Sequence, residues 1–228
     1  MYMVIYMNKG KIIVIEGACD GIGKSTQYNL LKKELGEKVV THHFPTYDSY
    51  QGRGVEEYLS GNYGDISNLS PYFVNNLYAY DRVVTWMSEL KEKYDEGFTI
   101  LLDRYTTSSV IYQSCMIDDI DERKKFIDYV IDYEYNKLGI GVPDQVIFLT
   151  APFDVVTNLR NSRKENDGII NDIHEKNIDF MHKVYNNALF VANYLNWDII
   201  ECSNGDNFKK IDEIHQEICK KVKLVKKM

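Results

Sequence analysis

A lysine, two hydroxyls and several small residues stand together near the start of the chain, in Ala18-Cys19-Asp20-Gly21-Ile22-Gly23-Lys24-Ser25-Thr26. Gly21 and Gly23 let the backbone curl so that successive N–H groups face inward, a cradle for phosphate oxygens. Lys24 places a point charge for the β- and γ-phosphates of a nucleotide, and Ser25 offers its hydroxyl to Mg²⁺. A helix starting near Lys24 aims its positive end at the same anion. The usual spacing of such a loop leaves four residues between its first glycine and Gly23, a place that Ala18 fills, with Gly17 one position early. Alanine serves there if its φ stays negative. A second charged group, Asp103-Arg104, ends an apolar run. Asp103 is suited to holding a Mg²⁺-bound water, and Arg104 to gripping phosphate bidentately.

These residues need rigid elements to hold them. Five short apolar runs, Lys11–Glu16, Lys38–Phe44, Phe98–Asp103, Gln145–Thr150 and Trp197–Cys202, alternate with longer helical patterns. Their near-continuous Val, Ile and Leu content is that of strands covered on both faces, and the alternation predicts an α/β fold with a five-stranded parallel sheet flanked by helices. Sites in such sheets lie at the carboxyl ends of the strands, where Asp20, Phe44-Pro45 and Asp103-Arg104 all fall. Helices are expected over Ser25–Leu35, Gly54–Ser60, Thr107–Met116, Asp121–Lys137, Asp154–Arg160, Asn171–Asn196 and Asn207–Val222. Ser70-Pro71 opens a long one that Gly97 stops after about Asp95. The polar stretch after Arg160, to about residue 171, reads as a lid.

The 228 residues suffice for one domain with a full core, and no linker or repeat divides them. A net charge of −7 excludes a general nucleic-acid binder, so an anionic substrate has to be drawn by a local cluster of cations. Cys19, Cys115, Cys202 and Cys219 form no C-x-x-C pair and no zinc spacing, which fits a reducing cytoplasm. Cys19 inside the loop is either a small filler or a reactive thiol. The apolar start Met1–Met7 lacks a basic flank and is too short for a signal or membrane helix; Met7 is a second candidate start. The basic residues from Lys220 to Met228 read as a solvated helix end.

The segment Asp103-Arg104-Tyr105-Thr106-Thr107-Ser108-Ser109-Val110-Ile111-Tyr112-Gln113 resembles the signature of thymidylate kinases: Asp-Arg-aromatic, two residues, Ser, a small residue, then an aromatic and a polar one. Phe44-Pro45, Leu77-Tyr-Ala-Tyr-Asp-Arg82, Pro143–Leu149 and Asn171-Asp-Ile-His-Glu175 resemble further elements of that family in the same order. The resemblance covers about residues 10 to 220. It implies a P-loop NTPase fold with a helical lid, and transfer of the ATP γ-phosphoryl to dTMP in a homodimeric enzyme. It implies that Lys24 and the amides of Ala18 to Thr26 hold ATP, that Ser25 and, through water, Asp103 hold Mg²⁺, and that Asp20 faces the acceptor nucleotide while Arg104 contacts its phosphate. Phe44 and Pro45 would flank the acceptor. Tyr78 would stack on thymine, and Arg82, one turn later on the same helix face, would donate to a thymine carbonyl. Ser108 or Gln113 would read the pyrimidine edge, and Tyr105 would crowd the ribose 2′ position. The long helix from Ser70 and the helix Thr107–Met116 would offer a surface for the second subunit.

Two departures stand out. Asp20-Gly21-Ile22 has no arginine, so the cation at the transferring phosphoryl is expected from the lid, from Arg163 or Arg160. Tyr47 stands where an arginine for the acceptor phosphate is common, leaving Arg53 or Arg104 to serve. Of the five histidines, only His174 is expected near the site. A deoxynucleoside kinase would need a carboxylate after the second strand, where this chain has Phe-Pro-Thr-Tyr; a non-catalytic nucleotide-binding protein would not need Lys24, Ser25, Asp103 and Arg104 together.

Overall fold

The computed structural model describes residues 9–65, 68–158 and 178–223. Five parallel strands form the sheet: β1 (Lys11–Gly17), β2 (Val39–His43), β3 (Thr99–Asp103), β4 (Gln145–Thr150) and β5 (Asp198–Glu201), in the order β2-β3-β1-β4-β5. β1 lies at the centre, buried from Ile12 onward. Its side chains alternate between two cores, as a period of two requires. Ile13 and Ile15 join Leu31, Ile214 and Ile218, while Ile12 and Val14 join Trp86, Leu90 and Ile100. Each of the five strands predicted from the apolar runs is present within one residue of its expected bounds.

Helix α1 (Lys24–Leu35) follows the first loop, and Gly36 ends it at φ 74°. Next come α2 (Arg53–Leu59) and α3 (Pro71–Thr85), the latter with proline in its first turn, where no N–H is needed. The long helix expected from Ser70 to Asp95 is not uniform. A π turn at Trp86–Leu90 separates α3 from a last helical stretch, Lys91–Asp95, and Gly97 turns the chain at φ 87°. On the same face of the sheet as α3, α4 (Thr106–Tyr112) passes into a 3₁₀ turn, and α5 (Ile120–Ile131) into a second π turn, Asp132–Lys137. Helices α6 (Ile178–Tyr194) and α7 (Ile211–Lys221) complete the layers. No described helix is long and apolar enough to cross a membrane.

Two expectations change. The last helix begins at Ile211 rather than Asn207, because Ser203–Asn204 and Asn207–Phe208 pair as a small hairpin around Gly205 at φ 61°. Glu213 then accepts from the Lys210 N–H at 2.9 Å, fixing the helix start. Secondly, Val110, Ile111 and Cys115 are buried against α5 and α6. The segment Thr107–Met116 therefore packs inside the subunit and is not a free apolar surface.

Candidate active site

The carboxyl ends of β1, β2 and β3 open into a cavity of about 310 Å³. The first loop forms one wall. Gly21 and Gly23 sit at φ 91° and 92°, the curl expected of a phosphate cradle. Ala18 is not among the described residues with positive φ, so the missing glycine is accommodated as its backbone requires. Its N–H donates to the Leu149 carbonyl at 2.9 Å, tying the loop to β4. Cys19 (6% exposed) and Ile22 (1%) point into the core, which leaves their backbone amides as the groups facing a ligand. Cys19 is thus the filler and not a reactive thiol. Ser25 lines the cavity; Thr26 is exposed and does not.

Parallel pairing aligns Ile15 and His43 with Asp103, and the charges gather there. Lys24 Nζ lies 3.2 Å from Asp103 Oδ1, and His43 Nδ1 lies 3.0 Å from Oδ2. Burial would raise the Asp103 pKa, but the His43 hydrogen bond and the charges of Lys24, His43 and Arg104 outweigh it and hold the carboxyl at about 2. A carboxyl held below its unfolded value of 3.8 adds stability above that value, and loses it as pH falls through about 2. Thermal melts from pH 5 down to pH 2 should therefore show a steeper loss in the wild type than in Asp103→Asn; parallel curves would refute the assignment.

Arg104 has φ 64°, a left-handed conformation costing roughly 1–3 kcal/mol in a residue other than glycine. It directs the guanidinium into the cavity, where Nη2 donates to Asp20 Oδ1 and the group lies over the Tyr112 ring at 5.6 Å. Burial works against its charge, but Asp20, Tyr112 and Glu16 hold it protonated. Glu16 is wholly buried at the end of β1 and accepts from the hydroxyls of Thr107 and Ser108 and from the Gly17 N–H. The Ser108 proton is thereby committed, and its oxygen accepts from Arg104 Nη1 at 3.5 Å, which leaves one lone pair for a ligand.

The opposite wall comes from α3 and the Phe44-Pro45 segment. Tyr78 lines the cavity, edge-on to Tyr58 at 6.2 Å, and burial keeps its phenol protonated. Arg82 also borders the cavity but is only 1% exposed, because Nε and Nη2 meet the two oxygens of Glu134 at 2.6 Å each. Gln113 is 6% exposed, and its Oε1 has no hydrogen-bond partner among the described residues.

Some expected positions need correction. Tyr105 borders the cavity, but its side chain is fully buried and its hydroxyl donates to the Gly141 carbonyl at 3.0 Å, so its phenol is held as a core group. Tyr112 is the tyrosine whose side chain stands beside Arg104 in the cavity. Its signal was a spacing of four: Ser108 and Tyr112 share one face of α4. Arg53 is 79% exposed on its side chain, 4.0 Å from Glu57, and does not line the cavity, whereas Tyr47 does. His43 was missed, although its place at the end of β2 signals it. Arg160, Arg163, His174 and the lid at about 160–171 lie outside the described residues.

The donors suit Mg²⁺. The Ser25 hydroxyl and Asp103 are hard oxygen ligands, and Asp103 Oδ1 is buried without a hydrogen bond, aimed at the loop lysine. Among the described residues no three His, Cys, Asp or Glu side chains are grouped for a metal. That arrangement fits an ion that keeps waters and takes its other ligands from phosphates.

Comparisons with known proteins give matches along almost the whole chain. The family model described as "Thymidylate kinase" matches residues 15–218. A probable thymidylate kinase of Caldivirga maquilingensis is 31% identical over 196 residues, covering 85% of this chain and 86% of its own. Probable thymidylate kinase 1 of Saccharolobus solfataricus is 31% identical over 199 residues, 86% of this chain and 91% of its own. The structure of thymidylate kinase from Candida albicans superposes with a TM-score of 0.71 at 24% identity, over 95% of this chain and 93% of that one. It supports the fold.

Proposed function

Because the chain belongs to the thymidylate kinase family, we propose that it phosphorylates dTMP to dTDP, with ATP as donor and Mg²⁺ as its metal, through the residues of this cavity. The observation that carries the reading is the meeting of Lys24, Asp103, Arg104 and Asp20 with Tyr78 and Arg82 around one space. The acceptor is already a phosphate anion, so no strong base is required. The work of the site is to hold two anions in line and to stabilise the charge that spreads over the transferring oxygens.

The amides from Ala18 to Thr26 and the Lys24 ammonium bind the donor phosphates. Ser25 and Asp103 would hold Mg²⁺, which when bound neutralises charge on the phosphate oxygens. Arg104 and Asp20 face the acceptor, Arg104 toward its phosphate and Asp20 toward its sugar. Tyr78 stacks on the base beside Phe44 and Pro45, and Arg82 meets a base carbonyl. Ser108, which keeps one lone pair, and Gln113, whose Oε1 lacks a partner among the described residues, are the acceptors for a pyrimidine N–H. Tyr112 takes the place beside the sugar that the sequence assigned to Tyr105. Arg160 and Arg163 remain our assignment for the cation at the transferring phosphoryl, resting on the sequence alone.

A coupled assay of ADP release across nucleosides and nucleoside monophosphates tests the reading. dTMP should be the best acceptor, and faster turnover of AMP, GMP or a nucleoside would overturn it. In the same assay Tyr78→Ala should raise KM for dTMP by an amount equivalent to about 1–3 kcal/mol of lost stacking, with KM for ATP unchanged. Alanine at Arg160 or Arg163 should lower kcat; wild-type kcat in both variants would remove the lid from the assignment.

We further propose a homodimer. Phe73, Tyr80 and Met87 are exposed on the long helix at intervals of seven, with the part-exposed Leu77 and Val84 between them. Such an apolar stripe is suited to packing against its own copy about a two-fold axis. Sedimentation of the wild type should report a dimer and Tyr80→Asp a monomer; a monomeric wild type refutes the proposal.

A further inference from the structure

The buried carboxylate of Glu134 has no place in the sequence-based account of the site. It lies 52 residues from Arg82 along the chain, within the π turn that follows α5. Its Oε2 and Oε1 accept from Arg82 Nε and Nη2, and the Thr106 hydroxyl donates to Oε2 at 2.9 Å. Nη2 also donates to Ser109 Oγ at 2.8 Å. A planar guanidinium has five N–H groups, so three are engaged by Glu134 and Ser109. The fourth and fifth are on Nη1, whose one hydrogen bond among the described residues is a long one, 3.4 Å, to the Tyr105 carbonyl. One N–H therefore remains, and Arg82 borders the cavity.

We propose that Glu134 is a positioning residue for acceptor recognition: it turns Arg82 from a mobile cation into a neutralised, fixed reader with one N–H for one base oxygen. The proposal rests on Arg82 meeting the base of dTMP. Two features support it. The bidentate contact engages the Nε–Nη2 edge of the guanidinium, so the plane of the group and the direction of Nη1 are set together. And the pair is electrically balanced in the apolar interior, so the site does not offer a surplus charge that would attract the acceptor phosphate to the base end. An acceptor with a carbonyl at the pyrimidine 4-position accepts from Nη1; one with an amino group there sets N–H against N–H. Glu134 thereby favours dTMP over dCMP without touching either.

Turnover of dTMP by the wild type tests the underlying reading separately, and its absence would remove that reading before Glu134 is considered. Given that turnover, Glu134→Gln should raise KM for dTMP at least tenfold, leave KM for ATP within twofold, and narrow the preference for dTMP over dCMP. The Gln oxygen still accepts, but its amide N–H₂ opposes the second guanidinium N–H and turns the guanidinium plane. Glu134→Asp, which keeps the charge at a shorter reach, should lie between the two. Thr106→Val removes only the hydroxyl that orients Glu134 and should raise KM for dTMP about threefold; it decides the matter if Glu134→Gln does not fold. A scaffolding role predicts a lower melting temperature with both KM values and the acceptor preference unchanged. That result, in either folded variant, would overturn the proposal.

Discussion

Lys24→Ala should all but abolish phosphoryl transfer while leaving the fold in place. Lys24 is the cation that the first loop contributes, held at the mouth of α1 where the helix dipole also favours an anion. Charge develops on the transferring oxygens, and removing a preorganised cation there is typically worth about 3–4 kcal/mol, or two to three decades in kcat. The fold should survive because Asp103, the carboxylate Lys24 contacts, keeps its hydrogen bond from His43 and the charge of Arg104. Steady-state kinetics and a thermal melt on one preparation check both halves. Near-normal turnover in a folded Lys24→Ala protein would defeat the kinase reading of the cavity.

The second large effect is on stability. Arg82→Leu should destabilise the protein by about 3–5 kcal/mol, because it leaves the Glu134 carboxylate buried without its cation. For a chain of this size that lowers the melting temperature by roughly 10 °C. The double variant Arg82→Leu with Glu134→Leu should recover more than half of the loss, since an apolar pair replaces a desolvated ionic one. Both variants should lose dTMP recognition. A single variant as stable as the wild type would mean that solvent reaches Glu134 and that the pair is not a buried one.

The contrast between these two sites explains what the sequence could and could not announce. Lys24 is legible because its neighbours in the chain are its neighbours in the site; strand, glycines, lysine and serine sit in one uninterrupted run. The five strands are legible for a related reason, since a parallel strand covered on both faces has to be apolar throughout. His43 was half legible. A parallel sheet with β2 beside β3 sets His43 level with Asp103, but strand order is not written in either strand. Glu134 was legible in place but not in role. Ile127, Val130 and Glu134 follow the i, i+3, i+7 spacing of one helix face, so its burial accords with an ordinary helical period. That its carboxylate meets Arg82, 52 residues away, is written in neither segment. Tyr105 and Tyr112 show the same limit more mildly. Both follow Asp-Arg, and only the helix beginning at Thr106 decides that the first faces the core and the second the cavity.

Among the described residues, the two cations expected to meet the phosphates each lean on an acid: Lys24 on Asp103, Arg104 on Asp20. Binding is therefore an exchange of counter-ions more than a capture of charge. A stray sulfate or free phosphate has to displace a tethered carboxylate and brings no base to compensate. A nucleotide brings both. In a chain that carries a net charge of −7, these tethered pairs let the site stay cationic in reach yet neutral at rest, and so selective among the many anions of its surroundings.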